Sequence, residues 1–242
     1  MSEKAKNNYF FVGSCYPAEL GGPSNSIIRL ISYLNKSTHN NIILSTRKGI
    51  TKALKQQYCI KFNDVSDIKG VKVIFFDYIF THIVSMSALY YLLKNLKKND
   101  SVHLNSIFYV INIFIILICL VKGVAFSIAP RGELISQAKG NGFKKKAYFF
   151  LTRFFYSKAN KLIVTSAMEK EASKKYFPKA CYSIIPNYFE LPVNNIIEYT
   201  RQKRILFVGR IHPHKCLENL IGAFLSVNRD DIELVIAGTG EK

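Results

Sequence analysis

Apolar residues in this chain fall in short continuous runs rather than in strict alternation, and segments with helical spacing separate the runs. Phe10 to Val12 forms the first run and ends at Gly13, and a loop from Ser14 to Gly22 follows. Pro23-Ser24-Asn25 then supplies helix-start chemistry, and Ile27, Leu30, Ile31 and Leu34 recur on one helical face. Runs at Ile42 to Leu44, Val71 to Phe76, Val102 to Leu104, Val124 to Ala129, Leu162 to Val164 and Tyr182 to Ile185 predict strands. Leu89, Leu92, Leu93 and Leu96 predict a helix. Continuously apolar strands suit a parallel sheet covered on both faces, because a half-solvated strand would alternate. Alternation with helices makes the fold α/β, a doubly wound Rossmann-like domain. Ligands in such sheets collect at the carboxyl ends of the strands, so the loops after Val12, Leu104, Ala129 and Val164 are where chemistry is expected.

The pattern loosens after Pro186-Asn187, which predicts a domain over residues 1–187, a linker over 188–202, and a second α/β unit over 203–242. That unit reads as strand Ile205 to Val208, helix Leu217 to Leu225 and strand Glu233 to Ala237. A single βαβ unit of about 40 residues cannot bury a core of its own, so an incomplete second domain is the expectation. Ile107 to Val121 is almost wholly apolar, but Lys122-Gly123 interrupts it before the roughly 20 residues a membrane span needs. The favoured reading is a core helix that Gly123 stops. The residues before Tyr9 do not resemble an export signal.

Composition narrows the picture in two ways. Cys15, Cys59, Cys119, Cys181 and Cys216 form no C-x-x-C pair, which argues against zinc or a disulfide framework and fits a reducing, cytoplasmic setting. The formal net charge of +18 calls for an anionic partner, either nucleic acid or a membrane surface. No RRM, zinc-finger or KH pattern accompanies it, so nucleic acid is not expected. Phe143 to Lys161, FKKKAYFFLTRFFYSKANK, interleaves six basic residues with aromatics and contains no acid. It suits docking at the anionic inner face of a membrane; the competing reading, compatible with the first in one helix, is a domain helix whose aromatics pack on the sheet while its lysines meet water.

The strongest local chemistry is strand Ile205 to Val208 followed by Gly209, Arg210 and Lys215, just ahead of an amphipathic helix. A glycine admits close backbone approach, and a guanidinium with an ammonium near a helix start suits a diphosphate; a solvated surface pair is the competing reading. VGRIHPHKCLENLIGAF resembles the G-R-x(4)-K segment that opens the donor domain of family-4 retaining glycosyltransferases of the GT-B fold. LVIAGTGE, ELGGPSNSI, KLIVTSAMEKEASKKYFP and IPNYFE are similar to further segments of that family, in matching order over nearly the whole chain.

The resemblance implies transfer of a sugar, with retention, from a nucleotide-sugar to a glycan acceptor, lipid-linked, in surface polysaccharide assembly. It also implies no metal and no cofactor. Gly209, Arg210 and Lys215 would then meet the donor diphosphate, Gly21 and Gly22 would form the glycine-rich loop, and Asn105 and Asn187 are cleft candidates. Arg131, Glu133 and His103 are catalytic candidates. Each has a plain alternative: an ion pair between Arg131 and Glu133, a satisfied structural histidine, and turn formers at the glycines and Asn187. The chain departs from the family at Cys216, where glycine is common, and at Arg131, which stands near the usual place of an active-site histidine. It also ends before the family's carboxylate pair, so a truncated, inactive binding or scaffold fragment is the alternative function.

Overall fold

The computed structural model describes residues 6–13, 22–35, 40–79, 84–136, 143–188, 203–227 and 229–240. The chain divides into two compact units, Met1–Glu190 and Leu191–Lys242.

In the first unit the elements run β1 (Asn7–Gly13), α1 (Gly22–Leu34), β2 (Asn40–Thr46), α2 (Lys52–Gln57), β3 (Val65–Ile68), β4 (Val71–Phe76), α3 (Met86–Asn95) and β5 (Ser101–Asn105). They continue with α4 (Ile111–Lys122), β6 (Ala125–Ala129), α5 (Glu133–Ser136), α6 (Phe143–Tyr156), β7 (Lys161–Val164), α7 (Ala167–Lys174) and β8 (Tyr182–Ile184). The sheet order is β3-β4-β2-β1-β5-β6-β7-β8. Only β3 is antiparallel. Crossovers between parallel strands are right-handed, so connections leading in opposite directions along the sheet lie on opposite faces. Within β1, Phe10 and Val12 accordingly join a core with Ile27 and Ile31 of α1. Tyr9 and Phe11 join the larger core with Leu92 of α3, Ile115 of α4 and Phe149 of α6. The order reverses between the neighbours β1 and β5, which makes their carboxyl ends the topological switch point where α/β sheets bind ligands.

The strands and helices expected from the apolar runs are present, with three additions. The short helices α2 and α5 and the edge strand β3 lie where no element is predicted. Strand β3 buries only Ser66 and Ile68 and exposes Val65 and Asp67, too short an alternation to stand out. The apolar segment ending at Gly123 proves to be half core and half surface. Ile111, Ile115, Ile116, Ile118 and Cys119 of α4 are buried, whereas Phe114, Leu117, Leu120 and Val121 are exposed. No helix among the described residues is long and apolar enough to cross a membrane.

The second unit pairs β9 (Arg204–Val208) in parallel with β10 (Glu233–Ala237), connected through α8 (Leu217–Val227). No residue of α8 is buried, and Leu206, Val208 and Leu225 are exposed, as expected of two strands and one helix. The two strands come closest just past their ends: Gly209 N–H donates to the Ala237 carbonyl at 3.0 Å. A Cβ on Gly238 would stand 1.8 Å from the Gly209 carbonyl oxygen, so this crossing tolerates no side chain.

The split character of α4 has a measurable consequence. Ile115→Ala should cost about 2–5 kcal/mol of stability because its cavity is fully enclosed. Leu117→Ala, two residues away on the surface, should stay within about 0.5 kcal/mol. Urea unfolding of the two variants separates these outcomes, and similar large losses in both would contradict the exposed face.

Candidate functional site

Three candidates from the sequence meet at the carboxyl edge of the sheet. Arg131 follows β6 with φ +54, and Gly132 follows with φ +80, a left-handed turn that only glycine adopts freely. The Arg131 Nε–H donates to Asn105 Oδ1 at 3.0 Å, and its Nη1 donates to Asn187 Oδ1 at 2.8 Å. One guanidinium thus ties the end of β5 to the segment after β8. Asn105 is itself anchored to the switch point, its amide donating to the Phe11 carbonyl at 3.1 Å.

Glu133 and Arg131 take different partners. The Glu133 carboxylate accepts from Ser106 Oγ at 3.0 Å and from the Ile107 backbone N–H at 2.9 Å. Burial pushes the Glu133 carboxyl above its usual range, while those two donors pull it back. Tyr148 and Tyr156 of α6 both donate to the Ile107 carbonyl, so α6 clamps the same loop from the other side.

Glu169, on α7, was not singled out by the sequence reading. Its carboxylate is fully buried and accepts from the Gly132 N–H at 2.5 Å, the Thr165 N–H at 2.6 Å and Thr165 Oγ1 at 2.8 Å. Burial lowers the pKa of Arg131, and the Glu169 charge opposes that shift. The signal available in the sequence was an acid three residues after Ser166, whose hydroxyl caps α7 by accepting from the Glu169 N–H at 3.1 Å.

His103 lies two residues before the end of β5, on the same strand face as Asn105. Its Nδ1 is 2.8 Å from Ser127 Oγ, and its Nε2 is buried with no hydrogen-bond partner. Burial, reinforced by the Arg131 charge, pushes its pKa down to about 3. The ring is therefore neutral at physiological pH. A group held that far below neutrality is poorly matched to general acid–base work, which weakens His103 as a catalyst. It lines a cavity of about 270 Å³ with Phe10, Leu30, Ser127, Arg131 and Asn187.

In the second unit, Arg210 and Lys215 are exposed, and among the described residues no acid pairs with either. A 3₁₀ turn, Pro213–Lys215, separates Gly209 and Arg210 from α8. Cys216 then enters the left-handed region with φ +49, and its backbone N–H donates to the Pro213 carbonyl at 3.0 Å. The position at which the resembled family favours glycine is thus one whose backbone favours glycine. Gly22 opens α1. Gly21 lies outside the described residues.

This mixed α/β architecture, with its large parallel sheet, matches the Rossmann-like fold of GT-B glycosyltransferases. Anabaena Alr3699/HepE, solved in complex with UDP and glucose, is similar over 98% of this chain and 62% of its own, at 12% identity and TM-score 0.65. The same protein solved with UDP aligns at TM-score 0.67, with 98% and 61% covered and 12% identity. TarM aligns at TM-score 0.63, with 98% of this chain and 72% of TarM covered, at 11% identity. The chain therefore spans about three-fifths of the HepE structures it resembles. No protein-family model matches the sequence, and no curated protein sequence does.

Two expectations follow from the backbone and the buried ring. With a folded pKa of about 3 against an ordinary 6.5, His103 contributes stability that is present above pH 6.5 and lost as pH falls toward 3. Going from pH 7 to pH 5 should cost about 2 kcal/mol in urea unfolding through this residue, and His103→Gln should flatten that dependence. An unchanged slope in the variant would refute it. At position 216, Cys216→Val should destabilise the second unit by about 1–2 kcal/mol, since a β-branched residue fits φ +49 worst. Cys216→Gly should be neutral or better; equal losses in both would contradict the left-handed backbone.

Proposed function

We propose that this chain is a nucleotide-sugar glycosyltransferase of the GT-B type, related to the family-4 retaining enzymes. Its first unit would supply the acceptor side and its second the start of the donor side. The observation that carries this reading is the pair Arg210 and Lys215, exposed and unpaired by acids among the described residues, around a strand-to-helix turn that opens at Gly209. An anionic diphosphate would be met by cations that no acid among the described residues occupies. Those cations would stabilise the charge that develops on the leaving group. HepE has been solved with UDP, with UDP and glucose, and with UDP-glucose, which supports a nucleotide-sugar partner here.

On the acceptor side, Arg131 would hold an anionic or hydroxyl-rich acceptor and Glu133 would orient a sugar hydroxyl, with Asn105 and Asn187 setting the guanidinium. Gly21 and Gly22 would let the first loop approach the ligand. The reaction would proceed with retention of anomeric configuration and without a metal or cofactor. A lipid-linked acceptor in surface polysaccharide assembly fits the basic, aromatic segment Phe143 to Lys161, which would work at the inner face of the cytoplasmic membrane.

Calorimetric titration of the protein with UDP tests the donor assignment. UDP should bind, and Arg210→Ala or Lys215→Ala should each weaken binding by on the order of 2–3 kcal/mol, as loss of a charge-assisted contact does. Equal UDP affinity in wild type and both variants would sink the reading.

A further inference from the structure

The larger core of the first unit is roofed by three helices whose outer faces are apolar where water-facing residues would ordinarily be polar. Helix α4 is the extreme case. Its buried side is Ile111, Asn112, Ile115, Ile116, Ile118 and Cys119, with the Asn112 amide donating inward to the Ser106 carbonyl; its exposed side is Phe114, Leu117, Leu120 and Val121, and no charged residue precedes Lys122 in it. A helix apolar all round belongs in a core or against a nonaqueous surface. Helix α4 packs against α3 on one flank and α6 on the other. Met86, Tyr90 and Leu93 of α3 continue the exposed stripe at i, i+4, i+7 spacing. Phe150 and Phe154 of α6 are 81% and 62% exposed, and Val121 of α4 is 85% exposed. Three adjoining helices with aromatic and aliphatic side chains in water exceed what scattered surface apolar residues account for.

The charge around this roof has one sign. Residues 84–160 contain eleven lysines and arginines and only two acids, Asp100 and Glu133. Both acids face inward: Asp100 is buried and accepts from the Asn7 and Lys97 backbone N–H groups, and Glu133 is occupied at Ser106 and Ile107. Lys94, Lys97 and Lys98 follow α3, Arg153 and Lys158 lie on or beside the end of α6, and Lys144, Lys145 and Lys146 fall on its first turns. A cationic rim around an apolar centre is complementary to one kind of surface, in which anionic headgroups overlie hydrocarbon.

We infer that α3, α4 and α6 form one docking face for an anionic lipid bilayer, with Phe114, Leu117, Val121, Phe150 and Phe154 entering the acyl boundary and the lysines and arginines contacting headgroups. This deepens the membrane-surface part of the function proposed above by making α4, not the basic segment alone, the centre of contact. In crossovers of this kind the helices start at the carboxyl edge of the strands. The amino end of α4 is therefore joined by the short segment Phe108 to Val110 to Ser106 and Ile107, which contact Glu133.

The chain contains no tryptophan, so a single introduced one reports its own surroundings. Leu117→Trp and Phe154→Trp should each show blue-shifted emission with vesicles of phosphatidylcholine and phosphatidylglycerol, while Val65→Trp on the edge strand should not. Arg153→Glu with Lys158→Glu in the Leu117→Trp background should weaken vesicle binding at least tenfold, with an unchanged circular dichroism spectrum showing that the fold persists. No shift at 117 and 154, equal binding to phosphatidylcholine alone, or a shift that grows with protein concentration without lipid would each overturn the inference. The last result would mean that a second copy covers the face. The measurement uses no nucleotide, so its failure is distinguishable from failure of UDP binding.

Discussion

The Glu169 carboxylate sits under the Arg131–Gly132 turn, fully buried, with three donors aimed at it. A buried carboxylate is costly unless its lone pairs are met, and here they are met by the Gly132 and Thr165 backbone and the Thr165 hydroxyl. The turn is itself unfavourable, since a non-glycine residue in the left-handed region costs on the order of 1–2 kcal/mol. Each cost offsets the other. The left-handed turn aims the Gly132 N–H at Glu169 Oε1, while Thr165 meets Oε2, and the Gly132 hydrogen bond in return helps to hold the turn. Arg131 is aimed by the same turn toward Asn105 and Asn187, so the geometry of the carboxyl edge descends from one acid on α7.

The sheet imposes a second constraint. Right-handed crossovers send α3, α4 and α6 to one face, and the strands beneath them are apolar on that side, so all three helices must present an apolar inner stripe. Nothing in that requirement explains an apolar outer stripe. Helix α4 spends on its outer face the side chains a surface helix would give to lysine or glutamate, and it does so without lengthening enough to span a bilayer. A twelve-residue helix with an apolar outer face would suit a bridge between a protein core and a second apolar phase, as inferred above.

Much of this fold was legible in the sequence because parallel strands advertise themselves as continuous apolar runs. Phe10 to Val12, Val71 to Phe76 and Val102 to Leu104 could not be half-solvated, and each is a central strand. Strand β3 escaped because it is short, antiparallel and polar at alternate positions. The two sides of α4 escaped for a different reason: helical periodicity finds a buried face by contrast with a polar one, and α4 offers no contrast. Among the site residues, Arg131 and Glu133 stood out as charges after an apolar strand. Asn105 and Asn187 stood out as cleft candidates, but not as the partners of Arg131 from 26 and 56 residues away, and Glu169, 37 residues from Gly132, did not stand out at all. At position 103 the burial favours the structural alternative over the catalytic one, because a histidine on the inside of a central strand loses its charge to desolvation.

Arg131 and the Arg210–Lys215 pair differ in a way that bears on their chemistry. Arg131 is largely buried, fixed by two amide oxygens and close to the Glu169 charge, so its direction is set before any ligand arrives. A ligand bound to it would cost little ordering, and selectivity would come from geometry. Arg210 and Lys215 are exposed, and what is set in advance is the backbone around them: the close approach of Gly238 to Gly209 before the pair, the 3₁₀ turn Pro213–Lys215, and left-handed Cys216 after it. Their side chains must be ordered by whatever they bind, and only a ligand with concentrated negative charge repays that loss of rotamer freedom. A fixed guanidinium suits a group recognised by shape, such as hydroxyls on a ring. A mobile cationic pair over a fixed backbone suits a diphosphate, whose charge is strong and whose torsions are soft. Such a division of labour would suit the nucleotide-sugar transfer proposed above.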